Sequence, residues 1–260
     1  MATIIIISTL IGLIFAPLGC LVLWKRYVYF GDGLAHASML AAVISVLLGA
    51  PIFYAGIINT ALFAFIVFKL KTKSGNNAAI GLTSSIMISL ALILSYIFPG
   101  EFNFTTLLFG DIVIADSKDI ITLSFLLLAV MIFFLAFYRK LILMILSKDV
   151  ASSRGIKVDM LEFIFLCILS FSVLATIKIV GTLLVTSIIL IPAMIARIIS
   201  TSPYMMIILA IIFAQIMNIS GIALSFYADL PFAPIIILCG GGIFIIVSIY
   251  SKLKSKLLNR

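Results

Sequence analysis

The chain has 260 residues, of which 65% are hydrophobic and 10% charged, and its mean hydropathy is +1.40. A water-soluble domain is about 45 to 50% apolar, so one water-surrounded core could not hide these side chains, and the expected solvent is a lipid bilayer. The net charge of +8 raises the question of nucleic acid, but the basic residues stand at the ends of apolar runs rather than in one patch, which argues against that partner and reports orientation instead.

In chain order the apolar runs fall at 4–24, 34–50, 52–70, 78–98, 119–138, 160–180, 182–198, 204–227 and 232–251. Most approach the roughly 17 to 25 residues that a helix needs to cross a bilayer. None alternates with the period of two that barrel strands require. The expected fold is an all-α integral membrane protein, a polytopic bundle of eight or nine transmembrane helices in a single domain over 1–260. The first run, MATIIIISTLIGLIFAPLGC, has no basic residue ahead of it, so it reads as a retained helix rather than a cleaved signal.

Lys and Arg cluster in alternate loops, with two at 25–26, three at 69–73, five across 139–157, one at 197 and four at 252–260. That asymmetry places the N-terminus outside and the C-terminus in the cytoplasm. The segment RKLILMILSKDVASSRGIKVD, residues 139–159, is the longest polar stretch on the cytoplasmic side and is expected to hold a short interfacial helix. It reads either as a solvated connector or as a docking element. On the other side, residues 98–119 carry four acids and form the main outward loop, with room for a partly re-entrant segment.

Cys20, Cys167 and Cys239 are far apart in apolar runs, which is neither a disulfide framework nor a thiolate metal motif. They read as packing residues. Gly240, Gly241 and Gly242 read as a small-residue patch for close helix packing. The triplet Phe-Gly-Asp at 30–32 recurs at 109–111, too little to establish a duplication.

Chemistry concentrates in YFGDGLAHASML, residues 29–40, which holds the only histidine of the chain. If this stretch is helical, Asp32 and His36 project from one face a turn apart. A carboxylate and a neutral imidazole suit zinc, and also manganese or iron with less preference. The plain alternative is a histidine bonded to its neighbour or to a headgroup. An ionisable pair inside a bilayer is costly, however, and marks a candidate pathway. Gly31 and Gly33 would allow an irregular backbone that carries Asp32 deeper. Two ligands leave a four-coordinate shell incomplete, so water, Ser38, Ser84, Ser85 or the same pair from a second subunit would have to contribute. Such a shell suits passage rather than permanent binding. In VGTLLVTSIILIPAMIAR, Thr186, Ser187 and Pro192 interrupt an apolar helix and are candidates to line or gate the pathway. Asp229 reads as a helix-end charge that could attract cations or a docked partner.

In this order, YFGDGLAHASML, LLFGDIVIAD, VGTLLVTSIILIPAMIAR and SFYADLPFAP resemble the permease subunit of bacterial zinc/manganese ABC importers, over nearly the whole chain. The resemblance implies a type II ABC importer-like permease that works as a homodimer. It implies Zn²⁺ or Mn²⁺ as cargo with no permanently bound cofactor, an extracytoplasmic metal-binding protein that delivers the ion, and cytoplasmic ATP-binding subunits that drive transport. KDVASSRGIK, residues 148–157, looks like the family's ATPase-contacting loop, which puts Lys148, Asp149, Arg154 and Gly155 in that role. Where zinc permeases can carry a histidine, this chain has Ser85.

Independently of any family, the chain has no G-x-x-x-x-G-K-[ST] phosphate loop, and no Gly precedes a Lys. The chain therefore cannot supply a Walker-type ATP site, and if uptake is ATP-driven the energy must arrive through a partner. Two rival functions remain: a secondary transporter in which Asp32 and His36 relay protons, and an intramembrane aspartyl protease pairing Asp32 with Asp111. The latter lacks support, because the Gly-x-Gly-Asp pattern would need glycine where Tyr29 stands.

Overall fold

A computed structural model of the chain describes residues 2–49, 51–98, 110, 112 and 115–258. The acids Glu101 and Asp111 of the 98–119 loop lie outside the described residues, and with them Phe109 and Asp111 of the second Phe-Gly-Asp triplet and one aspartate of the protease reading's pair.

Ten helices follow one another among the described residues: α1 Ala2–Lys25, α2 Phe30–Leu48, α3 Ile52–Ser74, α4 Asn76–Ile97, α5 Ser117–Leu146, α6 Lys148–Ser153, α7 Val158–Val180, α8 Thr182–Ile199, α9 Pro203–Ala228 and α10 Phe232–Leu258. Eight of them are long and apolar enough to cross a membrane, and the apolar part of α8 is a shorter helix over Leu184–Ile199. The choice between eight and nine spans thus turns on α8 alone. At about 1.5 Å per residue the 18 residues of α8 extend about 27 Å, close to a hydrocarbon core of about 30 Å.

Local chemistry explains the helix ends. Gly49 and Asp229 close α2 and α9 in the left-handed conformation at φ 59 and φ 52, the ordinary geometry of a helix C-terminus. Ser147 and Ser202 cap α6 and α9 by accepting hydrogen bonds from the Val150 and Met205 amides. Asp116 accepts from the Asp119 amide at 3.1 Å while Asp119 accepts from the Asp116 amide at 2.9 Å. This reciprocal capping box gives two of the outward loop's acids a structural task at the start of α5. That helix also runs past its expected end at 138 to Leu146, because LILMIL is made of helix-forming residues and Arg139 and Lys140 can extend their charges outward. The separate interfacial helix is therefore only the six-residue α6.

The chain divides into two compact units. One comprises α1 up to Trp24, the start of α5 up to Leu127, and everything from Ser187 onward. Its interior is built on small side chains, Ala16, Cys20, Ala193, Ala196, Ala210 and Ala214, which let helix backbones approach closely. Asn218 and Gln215 of α9 donate to the Ser8 and Thr9 carbonyls of α1 at 2.7 and 3.2 Å. Gly240 packs on Met217 and Ile191, but nothing lies within 4 Å of where a Cβ would stand at Gly241 or Gly242. The glycine patch thus shrinks to one packing position. All three cysteines are free thiols.

The other unit runs from Lys25 through α4, resumes at Leu128 of α5, and ends at Thr186. Here α2 packs on α3, α4 and α7, and α3 packs on α4 and α7. Buried Phe30, Phe63, Phe165 and Leu34 fill the space between them. Phe30 meets Phe63 edge-on with ring centroids 5.4 Å apart, a favoured aromatic arrangement.

Candidate functional site

The turn after α1 sets the start of α2. Arg26 takes φ 58, the chain reverses, and the Phe30 and Gly33 amides donate to the Tyr27 and Tyr29 carbonyls at 2.9 Å each. Asp32 and His36 therefore lie in the first two helical turns and share a face. Asp32 is half-buried and His36 exposed, while Phe30, Leu34, Ala37 and Ala41 on the other side of α2 are buried. Among the described residues no third His, Cys, Asp or Glu joins them.

Neighbouring contacts give the pair a depth. Gly33 lies against Phe63 of α3 and Ile80 of α4, and Asn59 Nδ2 donates to the Ala37 carbonyl at 2.9 Å. Phe63 and Asn59 precede Lys71 by eight and twelve residues along α3, which at 1.5 Å per residue is about 12 and 18 Å from the charged end of that helix. Asp32 and His36, each one residue before these contact points, therefore lie about 10 and 17 Å from that charged end. Both flanking glycines are in regular helix, so they do not loosen the backbone as expected. They admit neighbours instead: a Cβ at Gly31 would collide with Thr186 Oγ1, and one at Gly33 with the Ile80 side chain.

Thr186 is thus brought to the start of α2, against Gly31, the sequence neighbour of Asp32. Its Oγ1 is buried without a hydrogen-bond partner among the described residues, as is Asn59 Oδ1. Buried polar atoms of this kind call for water or an ion. The other hydroxyls are placed differently. Ser38 Oγ donates to the Ala35 carbonyl at 2.6 Å and Ser84 Oγ to the Gly81 carbonyl at 3.0 Å, which leaves each oxygen its lone pairs. Ser85 is on the exposed side of α4, away from the buried face of Ala79, Ile80, Thr83, Ser84 and Met87, and is not brought to the pair within one copy of the chain. Ser187 is half-buried on α8, and Pro192 is buried inside that helix, which continues through it. Asp229 is exposed, and its left-handed capping geometry accounts for its place in the fold.

At the basic end of the same unit lies a cluster that the sequence did not announce. Glu162, in the second turn of α7, is 1% exposed and faces three lysines: Lys71 at 2.6 Å, Lys25 at 3.6 Å and Lys148 at 3.9 Å. Tyr27 donates its hydroxyl to Glu162 Oε1 at 2.8 Å. Burial, and then the negative charge of Glu162, raise the Tyr27 phenol above its usual range, so it stays a neutral donor. Asn76 Nδ2 donates to the Lys25 carbonyl at 2.7 Å and fastens the end of α1 to α4. A lone acid near a helix start resembles an ordinary helix-end charge. The available signal was its position two residues inside an apolar run, where an acid needs a counter-charge.

α6 presents Lys148 and Asp149 on its exposed first turn, and Arg154 and Gly155 follow its end, with Gly155 at φ 76. Arg154, Gly155, Lys157 and Lys140 line a cavity of about 360 Å³ with Phe137 and Met160. Of the expected docking residues, Arg154 and Gly155 line this cavity, whereas Lys148 and Asp149 are exposed but do not line it.

Comparison with known proteins fits this architecture. The family model described as "ABC 3 transport family" matches residues 1–251. The high-affinity zinc uptake system membrane protein ZnuB of Buchnera aphidicola subsp. Acyrthosiphon pisum is 29% identical over 246 residues, covering 93% of this chain and 94% of that protein. The manganese transport system membrane protein MntC of Halalkalibacterium halodurans is 25% identical over 247 residues, covering 94% and 85%. Among solved structures, PsaBC from Streptococcus pneumoniae in complex with Fab superposes with a TM-score of 0.81 at 22% identity, covering 95% of this chain and 90% of that one, which supports the helical fold. With the family model matching nearly its whole length, the chain belongs to the ABC 3 transport family.

Proposed function

We propose that the chain is the membrane permease of an ATP-driven importer whose cargo is a divalent transition metal, zinc first, and that Asp32 and His36 receive the ion within the bilayer. The observation that carries this reading is the shared face of that pair about 10 to 17 Å from the charged end of α3, with Asp32 next in sequence to Gly31, against which the unpartnered Thr186 hydroxyl is packed. An ion arriving there exchanges part of its hydration for one carboxylate oxygen and one imidazole nitrogen. Water and the Thr186 hydroxyl can supply further oxygens. A shell with only two strong ligands releases its ion readily, as passage requires. The zinc-uptake relatives and the donor pair favour zinc, and manganese is the second candidate.

The remaining assignments follow from charge and family. The basic helix ends put the N-terminus outside and the C-terminus in the cytoplasm, with α6 on the cytoplasmic side. Lys148, Asp149, Arg154 and Gly155 receive the ATP-binding subunits, and a solute-binding protein delivers metal from outside. The domain works as a homodimer, and a pathway role for Ser85 requires the second copy. Ser187 and Pro192 belong to the helix that carries Thr186 and act as gate residues through it. ATPase closure then shifts the balance between outward- and inward-open states through its different contacts with each.

Sealed vesicles containing the complex test the reading. Zinc uptake is expected only with the ATP-binding partner present and ATP supplied on the face carrying α6. Uptake driven by a proton gradient without that partner would contradict the proposal and restore the secondary-transporter reading.

A further inference from the structure

Glu162 takes no part in holding the ion, yet three other segments of one compact unit converge on it. Its two carboxylate oxygens divide their partners. Oε1 faces Tyr27 at 2.8 Å and Lys25 at 3.6 Å, both at the turn from α1 into α2. Oε2 faces Lys71 of α3 at 2.6 Å and Lys148, the first residue of α6, at 3.9 Å. One oxygen thus addresses the base of the helix that carries Asp32 and His36, and the other addresses the short exposed helix.

We propose that Glu162 is the positioning residue through which movement of α6 reaches the base of α2. Three of its contacts are buried and fixed, whereas the Lys148 side chain is 60% exposed and loosely held. A shift of α6 by an ångström or two would draw Lys148 onto Oε2 or release it. That would redistribute the carboxylate's hold between Lys71 and the Tyr27–Lys25 side. Tyr27 precedes Asp32 by five residues, about one and a half helical turns, and its ring is packed against Phe30 and Phe165. A displaced phenol therefore moves the first turn of α2 rather than swinging free. The proposal rests on α6 being the ATPase-facing element.

The test counts ATP hydrolysed per zinc transported by the whole complex in vesicles. Lys148→Gln removes the exposed charge. Tyr27→Phe keeps the ring and removes the hydroxyl that donates to Glu162, at a site where no ATPase can touch it. Each is expected to raise the ATP-to-zinc ratio by about fivefold or more, the scale of a typical coupling free energy between sites. Zinc affinity should stay at the parental level in both variants, and ATPase co-purification should stay there in Tyr27→Phe, whose residue is fully buried. Because both changes cut one route, the double variant should do no worse than the poorer single. Parental ratios in both singles would overturn the proposal, and so would singles whose effects multiply in the double. Loss of co-purification in Tyr27→Phe would overturn it by making the effect one of assembly rather than of coupling. Failure of a cysteine on α6 to cross-link to the ATPase in the parent complex would overturn the reading of α6 as well.

Discussion

Replacing Glu162 by alanine removes the only carboxylate from a cluster whose Lys25 and Lys71 side chains are 7% and 4% exposed. Two ammonium groups would be left in a poorly solvated site without their anion. Breaking a buried ion pair by removing one partner costs about 3 to 5 kcal/mol. At about 2 to 4 °C per kcal/mol for a chain of this size, the unfolding temperature should fall by about 6 to 20 °C. Lys148→Ala removes a partner 3.9 Å away whose side chain is 60% exposed, and such a solvent-screened contact contributes less than about 1 kcal/mol. It should shift the transition by no more than a few degrees. Trp24, the single tryptophan of the chain, adjoins Lys25 and serves as the fluorescent reporter in thermal melts of detergent-purified protein. Replacing Lys25, Lys71 and Glu162 together by Met, Met and Leu should recover most of the loss, because a well-packed apolar set removes the desolvation penalty along with the charges. Equal, small shifts for Glu162→Ala and Lys148→Ala would refute the claim that burial makes this cluster matter.

Two further outcomes follow from particular contacts. Gly31→Val should destabilise the protein by about 1 to 3 kcal/mol through overpacking, and Thr186→Ala in the same chain should recover part of it, because Thr186 Oγ1 is the nearest obstacle; melts of the three variants check the sign. Asp229→Gly should leave zinc uptake unchanged and stability within about 1 kcal/mol of the parent, since glycine tolerates the left-handed φ of 52; a loss of uptake would assign Asp229 a role beyond capping.

The spacing of Asp32 and His36 already implied their shared face, because the helical period puts residues four apart on one side wherever the helix begins. Their depth was not legible, since it depends on which residues of α3 meet α2, and Asn59 and Ala37 are brought together only by packing. Glu162 was hidden for the same reason: its partners Lys25 and Lys71 are remote in sequence, and no local pattern records a convergence of helix ends. Gly31 and Gly33, one on each side of Asp32, suggest a loosened backbone, while the structure uses the missing Cβ for close approach to Thr186, Phe63 and Ile80. The helical architecture was the most readable level, because apolar length and the need to satisfy backbone polar groups in lipid leave few alternatives.

The central claim is that Asp32 and His36 jointly carry the ion. It is tested most directly by ATP-dependent zinc uptake into vesicles by complexes bearing Asp32→Asn or His36→Gln, beside the parent, with assembly and basal ATP hydrolysis measured in the same preparations. Uptake reduced at least about 100-fold in each variant, with assembly intact, is the predicted result; one lost ligand typically costs a few kcal/mol, and each 1.4 kcal/mol is tenfold. Parental uptake in either variant would contradict the account.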